Sequence, residues 1–385
     1  MANVTQGLER IAVAESRICS IDGVAGELIY QGYDIQDLAL NTTFEEVAYL
    51  LWRGDLPTAG ELADLNGQFQ DERDVDDAIY TLAKALPKSI VLMDALRTLV
   101  SLLASYDDEM ADNSADANLR KSVRLTAKIP TLLAAVHRAK RGLEPIRPER
   151  SGSLASNFLY MLSGSAPDDF VAKTLDTALV LHAEHGMNAS TFSARVTVAT
   201  LADLYAGVTS AIGTLKGPLH GGANALVLEM LDEIGEPDQA APYVKRVLAG
   251  EHTVGSLAPK RIPGLGHRVY KALDPRAAVL RSMSRTLGER AGDLHWIDLS
   301  EAVVVACEEA GLSEKAVHPN VDFFSASTYR TMGVDTSLFT PVFAMARITG
   351  WTAHIMEQHA NNRLIRPHAV YVGERDRVVK PIADR

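Results

Sequence analysis

A chain of 385 residues, 47% hydrophobic and 23% charged, is long enough for a sizeable core and for about two domains, and its composition is not that of a disordered protein. A formal net charge of −11 disfavours a general nucleic-acid binder, which needs a basic face to neutralise phosphate. Only Cys19 and Cys307 are present, so a disulfide framework and a Cys-rich metal site are excluded.

No apolar run approaches the roughly 18 residues of a membrane span. The opening MANVTQGLERIAVAESR lacks the basic-then-apolar build of a signal peptide, so the cytoplasm is the expected address. Residues 17 to 31, RICSIDGVAGELIYQ, predict a short hairpin, with Asp22-Gly23 and Gly26 between β-favouring residues. FEEVAYLLWRG predicts a helix ended by Gly54, and TAGELADLNGQF another, opened by a Thr58/Glu61 capping box. Further helical periods cover 89–105, 118–142, 168–184, 189–211, 224–234, 275–290, 297–310 and 340–360. Pro130 is expected to kink or split its helix, and 145–153 and 164–169 read as loops. Clear strand alternation is scarce, and the fold reads as mainly α.

Four stretches carry chemistry. In HAEHGMNASTFSARV, His182 and His185 share a helical face, which could suit a metal, but the zinc-helix spacing is absent. Gly186 and Asn188 predict a helix that stops and restarts beside them. A core histidine is the plainer account of His182, while His185, at the break, is the better placed to face a ligand. In KGPLHGGANALVLEM, Gly217, Gly221 and Gly222 permit close backbone approach, and a helix starting near Asn224 aims its positive end at His220. That field would hold His220 neutral, able to donate an N–H to a developing oxyanion, although a structural turn histidine fits the stretch equally well.

The third stretch, KRIPGLGHRVYKALDPR, sets His267 after Gly264 and Gly266 and before a helix opened by Asp274-Pro275. Its Lys260, Arg261, Arg268, Lys271 and Arg276 against Asp274 alone give a local net charge of +4 in an acidic chain. The glycine pair is no dinucleotide fingerprint, since no strand precedes it; the cations suit phosphate and carboxylate groups, as would a solvated basic face. In HPNVDFFSASTY, apolar neighbours would make Asp322 a stronger base, unless it merely caps a helix. Arg347, Arg363 and Arg366 follow as candidate carboxylate grips.

Together these stretches, in this order, resemble the citrate synthase family. GPLHGGAN, GLGHRVYKALDPR and PNVDFFSA look like its catalytic segments, and the resemblance runs on through SxICSIDGVAGELIYQGYDIQDLA and RITGWTAHIMEQHANNRLIRPHAVYVG over nearly the whole chain. It implies an all-α fold of two domains: a large one from 1–220 and 331–385, and a small one from 221–330. It implies that His220 polarises the thioester carbonyl of acetyl-CoA, Asp322 removes a methyl proton and His267 protonates the oxaloacetate ketone. By the same resemblance His185, Arg276, Arg347 and Arg366 contact oxaloacetate and citrate, with Arg366 reaching a partner subunit. Arg261, Gly264, Gly266, Lys271 and Lys315 lie near coenzyme A. A homodimer or higher homo-oligomer serving the tricarboxylic acid cycle follows, with acyl-CoA as co-substrate, no metal and no tightly bound cofactor.

Within the family, 2-methylcitrate synthase runs the same machinery on propionyl-CoA. One methylene is worth only about 1 to 3 kcal/mol of discrimination. Phe324 and Ser327-Thr328-Tyr329 mark where acyl preference is open. Outside the family, a metal-dependent hydrolase on His182 and His185 would need bound zinc, and a non-catalytic coenzyme A binding protein would release no thiol.

Overall fold

The structure is a computed structural model describing residues 4–8, 11–255 and 257–385; part of the opening stretch read for a leader lies outside the described residues. Among these, sixteen α-helices accompany one three-stranded antiparallel sheet. The expected hairpin is there: β1 (Cys19–Asp22) pairs with β2 (Glu27–Tyr30), and β3 (Tyr33–Asp34) adds the third strand. Asp22 makes the turn, its Oδ1 accepting the N–H groups of Val24 and Ala25 at 2.8 and 2.9 Å.

The first helices are α1 (Ile35–Asn41), α2 (Phe44–Arg53), α3 (Ala59–Glu72), α4 (Asp77–Ala85), α5 (Leu92–Leu103) and α6 (Ala115–Lys140). Gly54 ends α2 in the left-handed region, at φ 90°, and Thr58 and Glu61 close the capping box of α3, as their sequences predict. Helix α6 runs unbroken past Pro130, contrary to a split. Pro130 and its neighbours Ile129, Thr131 and Leu132 are buried on all sides, and tertiary packing there overrides the lost hydrogen bond.

Next come α7 (Leu154–Ser163), α8 (Asp169–His182), α9 (Ala189–Val198) and α10 (Leu204–Leu215). The single helix expected over 189–211 is two. Leu201 turns left-handed at φ 66°, and Asp203 caps the restart by accepting the Ala206 N–H. Residues 221–330 give α11 (Ala223–Ile234), α12 (Ala240–Ala249), α13 (Pro275–Ala291), α14 (His295–Glu309) and α15 (Val321–Thr331). These pack chiefly on one another, α13 against α15 most closely. The last helix, α16 (Phe339–Ala360), returns to lie against α6, α8, α9 and α10 with Trp351 and Ile355 fully buried. None of the described helices is long and apolar enough to cross a membrane.

Candidate active site

His185 sits where sequence places it, in the break between α8 and α9. Gly186 takes φ 58°, and Asn188 caps α9 by accepting the N–H groups of Ser190 and Thr191. His185 is buried, its Nε2 lies 3.2 Å from the Tyr270 hydroxyl, and its ring centroid is 5.2 Å from that of His267. Burial, then the charges of Arg276, His267 and Arg347, holds it neutral, well below the usual imidazole range. His182 is a core histidine as its plainer reading holds: Nδ1 bonds the Ala178 carbonyl at 2.7 Å and the ring packs edge-on to Phe343. Among the described residues no three His, Cys, Asp or Glu side chains are grouped to hold a metal ion.

His220 lies in the turn before α11. Gly221 is required there, because a Cβ would stand 2.4 Å from the Leu215 carbonyl oxygen. The imidazole is lowered to about 4, as expected in direction, by burial and then by the Arg347 charge. The Ser190 N–H reaches Nε2 at 3.3 Å, and the Ser190 hydroxyl lies 2.8 Å from the same atom. A backbone N–H points in a fixed direction whereas a hydroxyl rotates, so Nε2 is the acceptor and the ring proton sits on Nδ1. Trp351 Nε1 donates to Ser190 Oγ at 3.0 Å, tying this support to α16.

His267 has the opposite tautomer. Its Nδ1 accepts the backbone N–H groups of Val269 and Tyr270 at 3.0 and 3.2 Å, leaving the proton on Nε2. Burial first, then Arg276, lowers it to about 4. The loop is laced to the start of α15: Asn320 N–H donates to Gly264 O, Gly266 N–H to His318 O, and Asn320 Nδ2 to Gly266 O, at 2.9, 2.8 and 2.9 Å. Gly264 and Gly266 both take positive φ, and a Cβ on Gly264 would strike Val227 at 2.6 Å. In this structure Gly264 serves close packing on α11 and α15.

Asp322 is not the helix cap. Asn320 caps α15, and Asp322 donates its N–H to Asn320 Oδ1 at 3.0 Å. Its half-buried carboxyl is pushed up to about 6 by desolvation, with Asp274 raising it further while Arg276 and Arg347 oppose. Arg276 acts on His185, His267 and Asp322, and Arg347 on His185, His220 and Asp322, so the two guanidiniums bind the cluster into one electrostatic unit. Arg347 is buried, donates from Nε to the His182 carbonyl at 2.7 Å, and has its pKa lowered by burial against the opposing charge of Glu184.

Three residues outside the sequence-derived set are prominent. Asp274 is 1% exposed and grips Arg276 through Nε and Nη2 at 2.9 and 2.8 Å while accepting the Val321 N–H at 3.1 Å. It thus fixes a buried guanidinium and the backbone next to Asp322 together. The DPR triplet advertised a helix start, and its ion pair was visible only as the one acid within the basic run. Tyr270 and Ser190 carried no sequence signal apart from adjacency to the motifs.

Some expected residues stand apart. Arg366 lies in the exposed tail after α16, outside the buried cluster, because the chain leaves the helix at Ala360 and runs over the surface. Arg261, Lys271 and Lys315 are exposed and lie outside the buried cluster. Phe324 is buried beneath Arg281, whose guanidinium lies 5.7 Å from its ring, and lines the cavity beside it, whereas Tyr329 packs edge-on against Phe339.

Neutral imidazoles with their protons on assigned nitrogens, a carboxylate of raised basicity and two buried guanidiniums define a site for abstracting a carbon-bound proton beside an anionic substrate. The comparisons agree with that class. The chain matches the family described as "Citrate synthase, C-terminal domain" over residues 7–368. It is 50% identical to citrate synthase of Haloferax volcanii over 99% of this chain and 98% of that one, and 41% identical to 2-methylcitrate synthase of Mycobacterium tuberculosis over 98% and 92%. Its fold superposes with a TM-score of 0.92 on citrate synthase of Thermoplasma acidophilum, solved as a ternary complex with carboxymethyl coenzyme A and oxaloacetate, at 30% identity over 100% of both chains. The chain belongs to the citrate synthase family.

Proposed function

We propose that the chain condenses acetyl-CoA with oxaloacetate and hydrolyses the citryl thioester to citrate and coenzyme A. The observation that carries this is the pair of neutral histidines of opposite tautomer sharing two guanidinium fields with the raised carboxyl of Asp322. Asp322 takes a methyl proton of the thioester while His220 Nδ1–H stabilises the enolate oxygen. The enolate carbon attacks the ketone carbon of oxaloacetate, and His267 Nε2–H supplies the proton its oxygen needs. Water then cleaves the thioester. Arg276, Arg347 and His185 hold the oxaloacetate carboxylates, and Arg261, Gly264, Gly266, Lys271 and Lys315 form the coenzyme A side of the cleft.

Residues 221–330 act as a small domain that closes on 1–220 and 331–385 and keeps water out until citryl-CoA forms. The mutual packing of α11 to α15 supports that division. A homodimer is the working unit: the tail beyond α16 exposes Val372 at 92% and Val379 at 81%, apolar surface suited to a second copy, and Arg366 lies on that tail. Thiol release with oxaloacetate, comparing acetyl-CoA and propionyl-CoA, tests the reading. Preference for acetyl-CoA supports it; preference for propionyl-CoA moves the activity to 2-methylcitrate formation with the mechanism intact; no release from either refutes it.

A further inference from the structure

The hairpin of β1 and β2 touches both loops that carry the oxaloacetate-side histidines. On one side the Tyr30 hydroxyl donates to the Glu184 carbonyl at 2.7 Å and accepts the Glu184 N–H at 3.2 Å, one residue before His185. Ile21 closes over Gly186, where an added Cβ would meet its Cδ1 at 3.3 Å. On the other side the Gly23 carbonyl accepts the Lys271 N–H at 2.7 Å and the Ala272 N–H at 3.3 Å, within the loop bearing His267, Tyr270 and Asp274. The approach is as close as a backbone permits: a Cβ on Gly23 would fall 2.2 Å from the Val269 carbonyl oxygen, and one on Gly26 would fall 2.9 Å from that of Leu273. Asp22 stiffens this tip from inside, through its bonds to Val24 and Ala25, and Gly26 N–H closes the turn on Asp22 O at 2.9 Å.

We propose that the Asp22–Gly26 turn is a positioning device for the reaction: it docks on the 269–273 backbone and sets the spacing between His185 and His267. The two histidines lie 82 places apart in chain order, on segments of different halves, and the hairpin is a single rigid piece bonded to both. Loss of the docking lets the 267–273 loop drift from His185 and from the Arg276 grip while leaving His220, which hangs on Ser190 and Trp351, in place. The role rests on the condensation reading for its kinetic consequence, whereas the docking itself is read without turnover.

The test uses the full chain carrying Gly23→Ala, with Val24→Ser, whose side chain is 81% exposed at the same tip, as the control. Hydrogen exchange at the Lys271 and Ala272 amides, the KM for oxaloacetate, kcat and Tm are measured together. The expected result is at least tenfold faster exchange at those amides and at least a tenfold higher KM for oxaloacetate in Gly23→Ala, with Val24→Ser unchanged. Should Gly23→Ala lower Tm steeply, Asp22→Ala and Asp22→Asn replace it: the alanine loosens the turn and raises KM, and the asparagine, which keeps the acceptor, restores it. Unchanged exchange, a KM within twofold of wild type, or equal losses in Val24→Ser overturns the proposal. A wild type that protects both amides but releases no thiol refutes the condensation reading and leaves the docking standing.

Discussion

Replacing Asp322 by asparagine separates what this carboxyl does for chemistry from what it costs the fold. Burial raises it from the usual 3.8 to about 6, an interval worth about 3 kcal/mol at 1.36 kcal/mol for each tenfold change in proton affinity. The native state binds this proton more tightly than the unfolded chain does. Wild-type stability therefore declines as pH rises from about 4 to about 6, and above 6 the full penalty of a desolvated carboxylate is present. Asparagine has the same shape and no charge to desolvate, so the variant is expected to be more stable than wild type by up to about 3 kcal/mol at pH 8, with the advantage vanishing near pH 4. General bases contribute about a hundredfold to ten-thousandfold, and thiol release should fall by that factor or more. Urea denaturation at pH 4.5 and pH 8 with a thiol assay at pH 8 reads both effects. A variant less stable than wild type at pH 8, or one that keeps its activity, would refute the account of Asp322 as an ionised, desolvated base.

The pH dependence of kcat/KM should show a single acid limb of unit slope with its midpoint near 6, because His220 and His267 are already neutral above about 4; a limb of slope two would mean that a histidine titrates with it. Asp274→Ala should destabilise the protein by about 3 to 5 kcal/mol, since it strands the buried Arg276 guanidinium and the Val321 N–H, and should raise the oxaloacetate KM. Chemical denaturation with steady-state kinetics checks it, and a loss below about 1 kcal/mol would show that Arg276 finds another partner or water.

Where local chemistry decides the backbone, the sequence was readable. Thr58 with Glu61, Asp274 and Asn188 each fix a helix end through their own side chains, and Gly54 ends one through the left-handed backbone that lack of a side chain permits. The break between α9 and α10 was not, because Leu201 adopts φ 66° without glycine or proline to signal it. Pro130 misled in the other direction, since burial of α6 outweighs a missing hydrogen bond. Among the site residues, His185, His220, His267, Asp322, Arg276 and Arg347 could be picked out by motif, but the proton position on His220 depends on Ser190, 30 places away, and that on His267 on how its own loop turns Val269 and Tyr270 back onto the ring. The share of Arg347 in keeping His220 neutral is hidden from sequence because Arg347 is 127 positions away in the chain.

The two backbone N–H groups that hold His267 belong to residues only two and three places farther along the chain. Its tautomer is therefore inherited with its own loop and does not wait on neighbouring helices. Under the proposed mechanism, substitutions elsewhere in the pocket can reshape the room for an acyl chain without disturbing the group assigned to deliver the proton. A proton donor held in this way would be modular, and a lineage carrying it would be free to explore new acyl partners while its carbon–carbon bond chemistry stayed intact.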